Sequence, residues 1–113
     1  MQQRFAQQMK KGALDMLVLK LLERDEKYGY QLIAELRDRT DEALSLKEGT
    51  LYPILYRLED GGLVTSRMGA HTAKEPARKY YAITDAGRVA LREMYELWSE
   101  FDGYVRSIME EGQ

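Results

Sequence analysis

Near the end of the chain an apolar residue recurs at Ala90, Met94, Leu97, Phe101, Tyr104 and Ile108, with spacings of 4, 3, 4, 3 and 4. This is the seam of a helix that packs against another helix, sustained for nearly three heptads. A second apolar row, Leu91, Tyr95, Trp98, Val105 and Met109, runs beside it. One helix with two adjacent apolar rows exposes more apolar surface than a small domain of its own can cover. The simplest cover is a second copy of the chain, so Ala90, Met94, Leu97, Phe101, Tyr104 and Ile108 are the predicted dimer interface. Thr84-Asp85 marks where this helix begins: a Thr that caps free N–H groups, then an acid in the first turn. The 113 residues fit one compact unit, read as a body over 1–84 and a dimerisation helix over 85–113.

Upstream the periods are shorter. Leu14, Leu17, Val18, Leu21 and Leu22 predict a helix from residue 3 or 9 to about 24. The polar stretch Asp25-Glu26-Lys27-Tyr28-Gly29 ends it. Leu32, Ile33 and Leu36 predict a second helix over 30–39. The alternation Ala43-Leu44-Ser45-Leu46 suggests a short strand. Leu51, Ile54, Leu55 and Leu58 predict a third helix over 48–60, stopped by Gly61-Gly62. Ser45 and Glu48 have the spacing of a capping box, in competition with a start two residues later. Pro53 removes one backbone donor and loosens the turn around Gly49. Two strands are predicted over 63–67 and 79–83, joined by a polar loop.

Helix, helix, helix, hairpin, long helix is the order of a winged helix-turn-helix: a mainly α (α+β) fold with a two-stranded wing and a long C-terminal dimerisation helix. In that fold the third helix enters the major groove of double-stranded DNA. With its apolar stripe turned inward, Thr50, Pro53, Tyr56 and Arg57 point outward and Tyr52 sits at the boundary. Hydroxyls and a guanidinium there are suited to phosphates and base edges. The wing adds Arg67, His71, Lys74, Arg78 and Lys79, a source of sequence-independent phosphate attraction. Tyr28, ahead of the second helix, and Lys47, ahead of the third, complete the candidate DNA contacts.

The net charge of −2 argues against nucleic acid only as a sum, because distribution counts for more. Residues 1–12 hold three basic groups and no acid; 65–92 hold six bases against two acids; 93–113 hold one base against six acids. The absence of cysteine excludes disulfides and thiolate metal sites and suits a cytoplasmic location. No apolar run approaches the roughly 20 residues of a membrane span. His71 is the single histidine, so no metal site and no cofactor are expected. No Gly-rich phosphate loop or nucleophile with a base partner is visible, and no enzyme is expected. The alternative to DNA binding is a protein-interaction module of the same fold that docks through its acidic last helix. Such a module shows no salt-dependent DNA affinity and no loss on changing Arg78 or Lys79.

Three segments carry a family resemblance. Gly49-Thr50-Leu51-Tyr52-Pro53-Ile54-Leu55-Tyr56-Arg57-Leu58-Glu59-Asp60-Gly61-Gly62-Leu63 resembles the signature helix of PadR-like regulators. Arg78-Lys79-Tyr80-Tyr81-Ala82-Ile83-Thr84-Asp85-Ala86-Gly87 is similar to that family's second wing strand and the turn into its last helix. Tyr28-Gly29-Tyr30-Gln31-Leu32 is similar to the start of its second helix. The wing carries Ala73 and Ala77 where the family often has Gly or Arg, and Lys47-Glu48 stand in place of a frequent small cap and Pro.

The resemblance implies a homodimeric transcriptional regulator, usually a repressor, of the compact branch with a single C-terminal helix. It further implies a flat aromatic or drug-like effector between the subunits, with Trp98 as platform and Met94, Phe101 and Asp102 nearby. Two readings of Trp98 stand open at this point, since an aromatic at helical spacing also packs a core or an interface. Arg57 is likewise open between DNA and Asp60, three residues along its own helix.

Overall fold

The computed structural model describes residues 9–111. The basic residue Arg4 lies outside them. Within the described residues the order is α1 (Ala13–Leu21), β1 (Lys27–Tyr28), α2 (Gly29–Arg39), α3 (Glu48–Asp60), β2 (Val64–Met68), β3 (Lys79–Ile83) and α4 (Asp85–Met109). The three strands form one antiparallel sheet in the order β1-β3-β2. Apart from that extra strand, this is the winged helix-turn-helix and long last helix expected from the sequence.

Helix α1 is the hub. Leu14, Val18, Leu21 and Leu22 are buried as its stripe predicts, but so is Leu19, on another side, while Leu17 is only half-buried. A helix buried on more than one side is one the other elements pack around. Of its two expected starts, residue 3 lies outside the described residues, and the run from residue 9 is interrupted at Gly12, whose φ of +82° breaks the helical backbone. Lys27 reaches back from β1 and donates to the Leu21 carbonyl at the end of α1.

The third helix keeps the bounds expected, but not the cap. Lys47 occupies the N-cap position with no side-chain hydrogen bond. Ser45 Oγ instead donates to the Glu42 carbonyl at 2.9 Å, so the Ser45–Glu48 box does not form. The expected strand over 43–46 is also absent. Leu44 N–H donates to Thr40 Oγ1 at 3.0 Å, and Leu44 and Leu46 press the loop onto the core. Their alternation anchors a loop, because no neighbouring strand offers a ladder to pair with.

At its other end α3 stops as Gly61-Gly62 predicts. Leu63 N–H donates to Leu58 O at 2.9 Å and Gly62 N–H to Glu59 O at 2.9 Å, with Gly62 at φ +75°. The start of α4 is fastened to this stop. Thr84 Oγ1 donates to Gly62 O at 2.7 Å and accepts from Gly87 N–H at 2.9 Å, while Thr84 N–H donates to Leu63 O at 3.1 Å. The joint sets the direction in which α4 leaves the body.

From Leu91 and the half-buried Met94 onward, α4 parts from its own core. Leu97, Phe101, Tyr104 and Ile108 are each about two-thirds exposed, and the molecule is stretched to 64 Å along its long axis. No helix of the described residues is long and apolar enough to cross a membrane.

Candidate nucleic-acid interface

The buried stripe of α3 fixes what the helix shows outside. Leu51, Ile54, Leu55 and Leu58 are buried, which leaves Thr50, Pro53, Tyr56 and Arg57 exposed, with Lys47 exposed at the N-cap. Tyr52 is half-buried, at the boundary where the sequence places it. Its hydroxyl lies over Gly29, where a Cβ would come within 2.5 Å of it. A side chain at the first residue of α2 would have to push the end of the Tyr52 ring of α3 aside. Burial, with lesser contributions from Glu48 and Tyr56, holds the Tyr52 phenol above its ordinary pKa. The Tyr52 and Tyr56 rings lie 6.1 Å apart.

The sheet carries the wing's basic residues to this helix. Lys79, first in β3, places its ammonium 5.7 Å from the centre of the Tyr56 ring and 5.5 Å from that of Tyr81, with Glu59 at 3.9 Å. Tyr81 is fully buried, and burial pushes its phenol up to about 12. Arg78 donates to Tyr28 Oη at 2.9 Å with its guanidinium 4.5 Å above the same ring, and Tyr28 meets Tyr80 edge-on at 5.5 Å. Tyr28 thus packs the base of the wing and keeps its half-buried hydroxyl at the surface.

Arg67 on β2 makes a two-pronged pair with Glu26, through Nε at 3.0 Å and through Nη2, and lies 4.9 Å from the Tyr80 ring centre. Hydrogen bonding from Arg67 lowers the Glu26 carboxyl pKa. Arg57 does not pair with Asp60, the partner on its own helix. Its Nη2 instead donates to Asp15 Oδ1 on α1 at 2.8 Å.

The structure therefore brings Tyr52, Tyr56 and Lys79 together at α3, with Thr50 and Pro53 exposed on the same helix, and sets Arg78 on Tyr28 at the base of the wing. His71 and Lys74 stand apart at the exposed tip of the 69–78 loop, which is turned by Glu75 N–H donating to Thr72 Oγ1 at 3.0 Å. Sequence reasoning missed Asp15, Glu26, Glu59 and Gly29. Two of these carboxylates meet their partners across 41 and 42 residues, a separation no local spacing rule reaches.

On α4, Trp98 is 46% exposed, Phe101 is more so, and Asp102 is half-buried and bonded to Arg106 at 2.9 Å. A cleft of about 430 Å³ opens between α1 and α4, with Met16, Leu17, Leu91 and Tyr95 as its apolar lining and Lys20, Glu23 and Arg92 at its rim. Trp98, Phe101 and Asp102 do not line it.

Three comparisons bear on this architecture. A family model described as the transcriptional regulator PadR-like family matches residues 18–93. The negative transcriptional regulator PadR of Bacillus subtilis (strain 168) is 30% identical over 76 residues, 67% of this chain and 41% of that relative. Among solved structures, a PadR family transcriptional regulator from Eggerthella lenta superposes with a TM-score of 0.86 at 34% identity, covering 97% of this chain and 93% of that one. Bacillus subtilis PadR in complex with operator DNA superposes with a TM-score of 0.65 at 28% identity, covering 72% of this chain and 45% of that one. The chain thus spans under half of Bacillus subtilis PadR.

Proposed function

The chain belongs to the PadR-like family of transcriptional regulators, and on that premise we propose that it is a homodimeric repressor that binds operator DNA and is released by a small effector. Members of this family are regulators of transcription rather than enzymes. The observation that carries the reading is the open face of α3, where Thr50, Pro53 and Tyr56 stand exposed and Lys79 of the wing lies 5.7 Å from the Tyr56 ring. Third helix and wing hold this arrangement on a fold shared with a relative solved on its operator. In this reading α3 enters the major groove and uses Thr50, Tyr52, Pro53, Tyr56 and Arg57, while Lys47, Tyr28, Arg67, His71, Lys74, Arg78 and Lys79 meet phosphates.

Two copies pair along Ala90, Met94, Leu97, Phe101, Tyr104 and Ile108. Support for this is the row of large apolar side chains left in solvent beyond Met94, a surface that an isolated small domain does not keep. The unit 1–84 reads DNA and 85–113 joins the copies. Their two third helices then address half-sites about one turn apart, roughly 34 Å. A flat aromatic compound lodged between the copies against Trp98, with Met94, Phe101 and Asp102 around it, changes the spacing of the two reading heads. It acts only in proportion to its preference for one dimer form over the other. The cytoplasm, where the DNA is, is the proposed location.

The test is fluorescence anisotropy on DNA taken from immediately upstream of the gene, with a scrambled duplex as control and salt varied. The expected result is preferential upstream binding, at about 10 nM or tighter in physiological salt, that weakens as salt rises. Equal, low-salt-only binding to both duplexes sinks the operator reading and favours the protein-docking module. An unchanged response of Trp98→Ala to every aromatic compound that releases the native protein sinks the effector site.

A further inference from the structure

Two basic residues of the proposed DNA face are already held by carboxylates of their own chain. Arg57 on α3 is paired to Asp15 on α1 at 2.8 Å, and Arg67 on β2 to both oxygens of Glu26. A third contact of the same kind, Lys79 to Glu59, is looser at 3.9 Å. The pairs are open to water on the cationic side, where Arg57 and Arg67 side chains are 61% and 56% exposed. Exposed pairs of this type are weak, so a phosphate competes with the carboxylate on nearly equal terms. Arg78 differs, since its hydrogen-bond partner is the neutral phenol of Tyr28.

We propose that Asp15 and Glu26 are specificity-determining residues, which compete with phosphate for Arg57 and Arg67 and keep the recognition face from adhering to duplex of arbitrary sequence. The inference rests on the DNA-binding reading above. Non-specific affinity comes almost wholly from counterions released as lysine and arginine neutralise phosphates. A guanidinium already neutralised by a carboxylate adds little to that release, and the carboxylate left in the interface repels the backbone. On an operator the base contacts of α3 offset the opening of the pairs; on a random duplex nothing does. Arg67 lowers the Glu26 carboxyl pKa, so that carboxylate is charged at any pH where DNA binding would be measured.

The experiment compares the full chain with its Glu26→Gln and Asp15→Asn variants on the scrambled duplex across a salt series. Glu100→Gln, exposed on α4 and outside the proposed DNA contacts, is the control for a one-unit change in net charge. The expected result is roughly two- to fivefold tighter binding for Glu26→Gln and a log–log salt slope steeper by about 0.9, both beyond the Glu100→Gln effect. The gain disappears when Arg67→Gln is added, and Asp15→Asn shows the same dependence on Arg57. A gain no larger than that of Glu100→Gln, or one that survives without the arginine, overturns the proposal. So does a loss of affinity, which would make the carboxylates orient the guanidinium groups for DNA. If the native chain binds upstream DNA in a salt-dependent way while the variants match it, this inference alone fails. If neither native chain nor variants bind any duplex, the DNA-binding reading fails with it.

Discussion

Gly87 lies where the first turn of α4 crosses the end of α3. A Cβ placed there would come within 2.1 Å of the Leu63 carbonyl oxygen and 2.7 Å of Ile83 Cγ1. The nearer of these is backbone, held by the hydrogen bond from Thr84 N–H, so it cannot step aside. Gly87→Ala is therefore expected to lower stability by about 2–3 kcal/mol, read as a lower midpoint in urea unfolding. Tyr81 makes the opposite case. Its ring fills the core beneath the sheet, but its hydroxyl is buried without a hydrogen-bond partner. Tyr81→Phe keeps the ring and removes the unpaired group, and is expected to be neutral or stabilising by up to about 1 kcal/mol. The same substitution has a pH signature. The folded phenol is raised to about 12 from an ordinary value near 10, so between those values the folded state holds a proton that the unfolded chain has lost. Stability falls with rising pH across that window, and Tyr81→Phe flattens this part of the profile in unfolding measured from pH 9 to 12.

At the scale of elements, the proposed reading gives α3 and the wing different work, and single substitutions separate it. On the proposed reading Tyr56→Ala removes a groove contact. Operator affinity is expected to drop about tenfold, with the salt slope nearly unchanged and the preference over scrambled DNA reduced. Arg78→Ala removes a phosphate contact, so affinity falls on both duplexes and the salt slope shrinks by about 1. Anisotropy titrations at several salt concentrations distinguish the two. The bounds of α3 were legible because a four-residue stripe and a Gly-Gly stop agree with each other. β3 was legible from a run of aromatic residues bounded by polar ones. β1 was not, because two residues have no period, and Lys27-Tyr28 pairs only because β3 arrives beside it. The Ser45 box failed for a related reason: the spacing was present, but the serine hydroxyl found a nearer carbonyl at Glu42.

At the scale of the whole molecule, the exposed seam of α4 is the proposed dimer interface. Leu97→Glu places a charge in the middle of that seam, at a side chain that is two-thirds exposed and not part of the buried core. It is expected to shift the protein to monomer in sedimentation at micromolar concentration, with circular dichroism of the body retained and operator binding lost. The sequence by itself determined the order of elements, the heptad seam that leaves α4 without a cover, the outward face of α3 and the Thr84 start of the last helix. These are local or periodic properties, and a 3.6-residue or 2-residue repeat states them without reference to anything distant. Only the tertiary structure decided that Leu19 is core, that Gly29 and Gly87 are close crossings, and that Arg57 and Arg67 find Asp15 and Glu26. Each of these depends on two segments meeting after the chain has folded, and spacing along the chain holds no record of which side chains will then be neighbours.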